Sequence, residues 1–210
     1  MDSSLGFVDT PQQSLVLAEQ IARQAIAIDN KDAMAHCTLG RILTALGDYS
    51  EAIAELRIAI DLNPSFALAY FGYGQCLCYD GQPAEAIPAL EKAAQLSPHD
   101  PYTGLFEAVA AVAKIQLGQF DEAVRLARSA TRRKGTAVWP YAALASAFGN
   151  LGRIDDAQRA VDKLLAIKAD FSREVFERHW PHMSPSFKKN YYKGLCKAGL
   201  KSFCDAVAID

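Results

Sequence analysis

The feature that most constrains the fold is a short motif that occurs four times. It reads GDYSEA at residues 47–52, GQPAEA at 81–86, GQFDEA at 118–123 and GRIDDA at 152–157. The glycines that open these copies are 34, 37 and 34 residues apart. A repeat of this length is typical of two antiparallel helices, and such units stack because none of them can bury its apolar side alone. The sequence therefore predicts an all-α chain built as a solenoid.

Each motif combines the end of one helix with the start of the next. The glycine predicts the end of the first helix, because Gly adopts the positive φ of a helix C-cap without steric cost. The acidic residue lies in the first turn of the second helix, where the helix dipole favours negative charge. The closing alanine predicts close approach of the two helices, and Gly40 and Gly74 offer space for it on the first helices of the first two units.

The motifs place the whole chain, residues 1–210, in one domain, a right-handed α-solenoid of stacked helix-turn-helix repeats. It would begin with half a repeat, which matches only a second helix and is opened by Thr10 and Pro11. The expected boundaries are a half repeat at 11–28, full repeats at about 33–66, 67–100, 101–137 and 138–171, and C-terminal capping helices within about 172–204.

The last of these helices is expected to begin at Ser184 and Pro185 and to be amphipathic. Its apolar row consists of Phe187, Tyr191, Leu195 and Ala198, and its opposite side shows Lys189, Lys193 and Lys197. A helix with one apolar and one solvated side is what a solenoid needs to cap its last repeat. The lysine row is interpreted as a solvated surface, with an anionic membrane or an acidic partner as the alternative.

In its glycine, alanine and proline positions the chain resembles tetratricopeptide repeat (TPR) proteins, whose unit is a 34-residue helix-turn-helix. Its ending from Gly194 to Leu200 is similar to the end of the TPR regions that follow bacterial class III adenylate cyclase domains. The resemblance implies a role in protein–protein interaction, in a signalling context. Nothing in the chain corresponds to a cyclase catalytic domain, so it would be either a stand-alone adaptor or the regulatory arm of such an enzyme.

The resemblance also implies a partner-binding groove, because the first helices of TPR units line the concave surface. The residues expected in the groove are Cys37, Arg41, Thr44, Phe71, Gln75, Cys78, Tyr79, Ala108, Val112, Ile115, Trp139, Ala142, Ser146 and Asn150. This surface is neutral and carries three aromatic anchors, so we expect it to bind a helix or an extended apolar peptide of another protein. The alternative is that some of these side chains pack between repeats.

TPR domains that hold chaperone C-terminal carboxylates use lysine and asparagine in this groove. Those positions here are Cys37, Arg41, Phe71 and Gln75. Only Arg41 could serve in this way, as a lone bidentate donor to a carboxylate. The sequence therefore does not predict that binding mode.

Composition limits the other classes of function. The chain is 50% hydrophobic and 22% charged with a net charge of -2, which argues against a nucleic-acid-binding protein. No apolar run approaches the roughly 18 residues of a membrane span, and no secretory signal precedes the repeats. Five cysteines without framework spacing are interpreted as free thiols of a reducing compartment, so the chain is expected to be cytoplasmic. A homo-oligomer remains possible.

The sequence shows no catalytic or cofactor-binding motif. A nucleophile elbow, a Walker loop, a zincin helix and a dinucleotide fingerprint are all missing, so we predict no enzymatic activity, no cofactor and no metal. A second alternative is a metal or redox sensor that uses His179, His182 and the free cysteines, with Cys196 and Cys204 as the candidate metal ligands beside the histidines. Pro181 would break a helix between the two histidines, and the cysteine spacing is loose for a zinc site.

Overall fold

The structure is a computed structural model that describes residues 11–100, 103–133 and 138–205. In these ranges the chain forms α-helices and a single 3-10 turn, and none of the described helices is long and apolar enough to cross a membrane. The predicted cap at Thr10 lies outside the described residues. The helices are α1 (Pro11–Ile28), α2 (Ala33–Leu46), α3 (Tyr49–Leu62), α4 (Ala67–Asp80), α5 (Pro83–Leu96), α6 (Thr103–Gln116), α7 (Phe120–Thr131), α8 (Val138–Asn150), α9 (Ile154–Ile167), α10 (Arg173–His179) and α11 (Pro185–Lys197), and the 3-10 turn is Lys201–Phe203.

Helices α2 to α9 form four helical hairpins that stack in chain order. Each first helix packs on its own second helix and on the hairpin before it, so α4 contacts α5, α3 and α2. Helix α1 packs on α2 in the way that a second helix of a preceding unit would. The predicted all-helical solenoid is thereby confirmed.

Small residues allow the two helices of a hairpin to approach closely. A methyl group on Gly40 would lie 2.5 Å from Cγ of Leu56 and 3.0 Å from the carbonyl oxygen of Ala52. The arrangement recurs one unit later, where a methyl group on Gly74 would lie 2.6 Å from Cγ of Leu90. In a close-packed interior such contacts leave no room for a larger residue, which explains the recurring glycine and alanine positions.

The motif glycines end the first helices as predicted. Gly47 closes α2 with φ of 90°, and its backbone N–H donates to carbonyl oxygens of the last turn of the helix. Gly81 closes α4 with φ of 89° in the same way. These left-handed conformations favour glycine over every residue that carries a Cβ atom.

The C-terminal helices pack on the last repeat, as expected of a cap, but they also extend beyond it. Helix α11 packs against α8 and also reaches α6 and α4, so it lies along the first helices of three repeats rather than stacking as a next unit. The physical reason is that α11 is apolar on more than one side. Besides the expected row, Tyr192 and Gly194 are buried as well. A helix that is buried on two sides fits a concave surface, whereas a helix at the end of the stack would be covered on one side.

Candidate partner-binding site

Side chains of the groove donate hydrogen bonds to the backbone of helix α11. The hydroxyl of Ser146 donates to the carbonyl oxygen of Tyr191 at 2.8 Å, and the amide of Asn150 donates to that of Asn190 at 2.8 Å. In return, the Asn190 amide donates to the carbonyl oxygen of Ile115 at 3.2 Å. Ser146 and Ile115 are fully buried. The predicted groove residues at this end of the concave surface are therefore occupied by the chain itself.

Two glycines set the distance between α8 and α11. A Cβ atom on Gly149 would overlap the carbonyl group of Gly194, and one on Gly194 would overlap the carbonyl oxygen of Ser146. The two backbones are thus in direct contact at the crossing point. Gly194 is the signal that sequence reasoning missed. A glycine inside a helix lowers the stability of that helix, so its presence there indicates that another backbone needs the space.

The segment that leads into α11 is also held on the array. The backbone N–H of Ser184 donates to the carbonyl oxygen of Tyr79 at 3.0 Å, and the Tyr49 hydroxyl donates to the carbonyl oxygen of His182 at 2.9 Å. The turn glycines Gly47 and Gly81 approach this segment so closely that a Cβ on either would meet His182 or Ser184 side-chain atoms. Residues 182–186 therefore pack against the turns of the first two repeats.

The expected aromatic anchors are packed against other aromatic side chains. Phe71 stacks on Phe106 with ring centroids 4.6 Å apart, deep in the core. Tyr79 meets Trp180 edge to face at 5.1 Å, and Trp139 meets the same indole at 6.3 Å. Phe71 and Tyr79 are buried and Trp139 is half-buried. Tyr79 and Trp139 thus contact the C-terminal segment, residues 172–205, whereas Phe71 packs within the repeat array.

The other predicted groove residues divide between core and pocket. Cys37 is buried in the N-terminal core, and Cys78 is buried between α4 and α6, where Gln116 donates to its sulfur at 3.0 Å. Ala142 is fully buried. Sequence reasoning could not separate these residues from the accessible ones, because all lie on first helices.

A pocket of about 280 Å³ remains open between the groove wall and the C-terminal segment, and we call it the groove pocket. Its size is close to the lower end of small-molecule and side-chain binding pockets. It brings together eight of the predicted residues with eight that were not predicted. The lining is Arg41, Thr44, Phe71, Gln75, Tyr79, Ala108, Val112 and Trp139 from the prediction, with Ala45, Leu105, Val109, Phe176, Trp180, Met183, Phe187 and Tyr191 in addition.

The chemistry of the groove pocket is an apolar body with a polar end. Gln75 donates to the Tyr79 hydroxyl at 2.9 Å, and burial raises the pKa of that phenol well above its usual value, so it stays neutral. Arg41 is the one charged residue among the described residues of the lining. Its positive charge opposes the effect of burial on the neighbouring Cys37 thiol, whose pKa burial raises to about 11. The pocket therefore suits an apolar group that bears or adjoins a negative charge.

The cysteines differ from the expectation of five free thiols. Cys196 at the end of α11 forms a disulfide with Cys204, which follows the 3-10 turn. Cys37, Cys76 and Cys78 are free and buried. Among the described residues no three metal-ligand side chains form a group that could hold a metal ion, and two of the four candidate ligands are joined to each other.

The hairpin stack and its lined concave surface define an α-solenoid of the protein-interaction class. Two family models, both described as tetratricopeptide repeat, match residues 37–101 and 79–134. Residues 37–134 therefore match TPR units, as the sequence predicted. The match to Protein O-mannosyl-transferase Tmtc1 of Drosophila melanogaster is 36% identical over 86 residues, which cover 40% of this chain and 10% of that protein.

Solved structures show the same fold. PilW, a type IV pilus biogenesis factor, matches with a TM-score of 0.71 and 20% identity over 89% of this chain and 81% of its own. YrrB, described as a TPR protein with an unusual peptide-binding site, matches with a TM-score of 0.59 and 20% identity over 92% of this chain and 95% of its own. MamA matches with a TM-score of 0.62 and 20% identity over 76% and 94% of the two chains.

Proposed function

We propose that the chain is a TPR-type scaffold that binds one segment of a partner protein at the groove pocket. The pocket is the observation that carries the proposal, because it is an opening on the concave surface that remains beside α10 and α11. Its walls are mainly apolar and aromatic, which are the side chains that dominate binding energy when a partner buries them. The description of YrrB as a peptide-binding TPR protein supports the proposal.

The partner would insert one large apolar side chain, with its backbone crossing the pocket mouth. A volume of about 280 Å³ accepts a side chain such as Trp, Phe or Met but not a whole helix. Helix α11 already lies along α4, α6 and α8, so a partner helix could not lie along these three helices without removing the crossing at Gly194. This narrows the sequence-based expectation of a helix or peptide in an open groove to one anchor side chain.

The structure also decides which variants can test binding. Phe71→Ala and Tyr79→Ala remove buried core side chains, so they would report on stability. Val112 is half-buried and lines the pocket, so Val112→Trp fills the pocket from its wall. Ile154 is 51% exposed at the start of α9 and is absent from the pocket, so Ile154→Trp is a matched control.

The experiment is affinity capture from the source organism's lysate with wild type, Val112→Trp and Ile154→Trp, read by quantitative mass spectrometry. Thermal unfolding first establishes that the three proteins are equally folded. We expect at least one protein to be retained by wild type and Ile154→Trp and lost with Val112→Trp. If all three retain the same proteins, the groove pocket is not the binding site and the proposal fails.

Several sequence-based interpretations stay predictions. They are the cytoplasmic location, the absence of enzymatic activity and of nucleic-acid binding, and the possible homo-oligomer. The two alternative functions, a regulatory arm of a signalling enzyme such as an adenylate cyclase and a metal or redox sensor, also stay hypotheses. The buried state of Cys37, Cys76 and Cys78 gives no support to the redox sensor, because sensing thiols need a lowered pKa and access to solvent.

A further inference from the structure

Charged side chains are few on the four first helices, and all but one of them have a partner. On α6, Glu107 pairs with Arg133 at 2.9 Å and Lys114 pairs with Glu122 at 2.7 Å. Helix α8 carries no charged residue. On α2 and α4 the partnered groups are His36, bound to Glu55 at 2.6 Å, and Asp80, which accepts a hydrogen bond from Gln82 at 2.5 Å.

Arg41 is the exception. Within the described residues it makes no hydrogen bond or ion pair, although it lines the groove pocket. Its aliphatic stem lies against Gly72, where an added methyl group would come within 3.0 Å of Cγ of Arg41. The stem is thus supported by α4 while the residue as a whole is exposed. A supported guanidinium with free donors is suited to bind a carboxylate through two parallel hydrogen bonds.

Among the residues that the structure describes, the lining of the groove pocket includes no acid that could neutralise this charge. The polar groups beside it are neutral, namely Thr44, Gln75 and the Tyr79 phenol. The Thr44 hydroxyl donates to the carbonyl oxygen of Gly40 at 2.8 Å, and the Gln75 amide donates to Tyr79. Both groups thus already make hydrogen bonds within the repeat array. The positive charge of Arg41 is therefore left for a ligand.

We infer that the partner segment presents an internal Asp or Glu side chain next to its large apolar anchor, and that Arg41 binds this carboxylate while the groove pocket takes the anchor. This inference rests on the proposed function and names the partner's chemistry. Arg41 is thus a specificity-determining residue. Since the pair would lie at the rim, its removal should weaken binding about three- to tenfold, whereas loss of the anchor pocket should remove binding.

The test begins with a displayed library of random 12-residue peptides, selected on wild type and counter-selected on Val112→Trp. Peptides that pass are synthesised with amidated C-termini, so that no chain-terminal carboxylate is present, and are measured by fluorescence anisotropy. We expect them to combine an aromatic or long aliphatic residue with Asp or Glu. Arg41→Gln should bind them about three- to tenfold more weakly. Arg41→Glu should instead prefer the same peptides with Lys in place of the acid.

The outcomes separate the two proposals. If the selected peptides depend on the pocket but carry no acidic residue, or bind Arg41→Gln as tightly as wild type, the inference about Arg41 is overturned and the scaffold proposal stands. If selection on wild type enriches nothing that Val112→Trp fails to bind, the proposed function itself is overturned. Circular dichroism of each variant excludes loss of fold, and Lys193→Gln, an exposed cation on the outer side of α11, is the matched charge control.

Discussion

Replacing Gly194 by alanine tests the crossing of α8 and α11 directly. The new methyl group would overlap the Ser146 carbonyl oxygen and lie 2.5 Å from its hydroxyl oxygen, so α11 must move away from α8. Forced overpacking costs about 1–3 kcal/mol. The movement also breaks the hydrogen bonds that Ser146 and Asn150 donate to α11, at about 1 kcal/mol each. The higher helix propensity of alanine relative to glycine offsets about 1 kcal/mol of this loss. The expected net loss is about 2–4 kcal/mol of unfolding free energy.

The assay is urea unfolding followed by tryptophan fluorescence, since Trp180 belongs to the C-terminal segment and Trp139 packs against it. Gly72→Ala is the matched control. It makes the same chemical change inside a helix, but the nearest atoms there belong to the side chains of Leu56 and Arg41, at 2.8 and 3.0 Å, rather than to the backbone of another helix. We expect Gly72→Ala to stay within about 1 kcal/mol of wild type. If Gly194→Ala costs no more than Gly72→Ala at equal m-values, the close crossing of α8 and α11 is refuted.

Three further predictions concern the core, the disulfide and the thiols. Leu39→Ala and Leu77→Ala each remove a side chain that is 1% exposed and should cost about 2–5 kcal/mol in urea unfolding; an unchanged midpoint would contradict the repeat register. Reducing the Cys196–Cys204 bond should cost about 2–3 kcal/mol, measured as a lower melting temperature with reductant that a Cys196→Ser/Cys204→Ser variant does not show. Burial raises the pKa of the Cys78 thiol from 9.0 to about 12, so the unfolded chain loses this proton at a lower pH than the folded protein. The contribution of Cys78 to the free energy of unfolding is therefore complete below pH 9 and should be lost between pH 9 and about 12. For the same reason, native protein at pH 8 should resist thiol labelling at this residue.

The repeat array could be predicted from the sequence because its determinants are local. A glycine that ends a helix, an acid in the next first turn and an alanine at a close contact recur with one period, and each has a physical reason within its own hairpin. The structure places Gly47 and Gly81 in the left-handed conformation and buries Ala52 and Ala86 completely, as the motif requires. Local consistency of this kind makes repeat proteins easy to recognise.

The position of α11 could not be predicted in the same way. The row of Phe187, Tyr191 and Leu195 indicates that one side of the helix is buried, but an end cap and a groove-bound helix need the same row. The distinguishing contacts join residues 40 or more positions apart, such as Ser146 with Tyr191. No periodicity encodes such a pair. Only Gly194, a glycine inside an amphipathic helix, marks the crossing in advance.

The location of α11 has a mechanical consequence for the array. In an open solenoid each unit touches only its neighbours, so the superhelix stretches and bends as a series of weakly coupled joints. Helix α11 contacts α4, α6 and α8 at once and thereby connects α4 with α8, which belong to units that are not neighbours in the stack. Bending these units apart would have to break contacts with α11 as well as those between hairpins. We therefore expect the array to keep its curvature from α4 onward, so that a partner segment of the kind proposed would have to adjust its own shape.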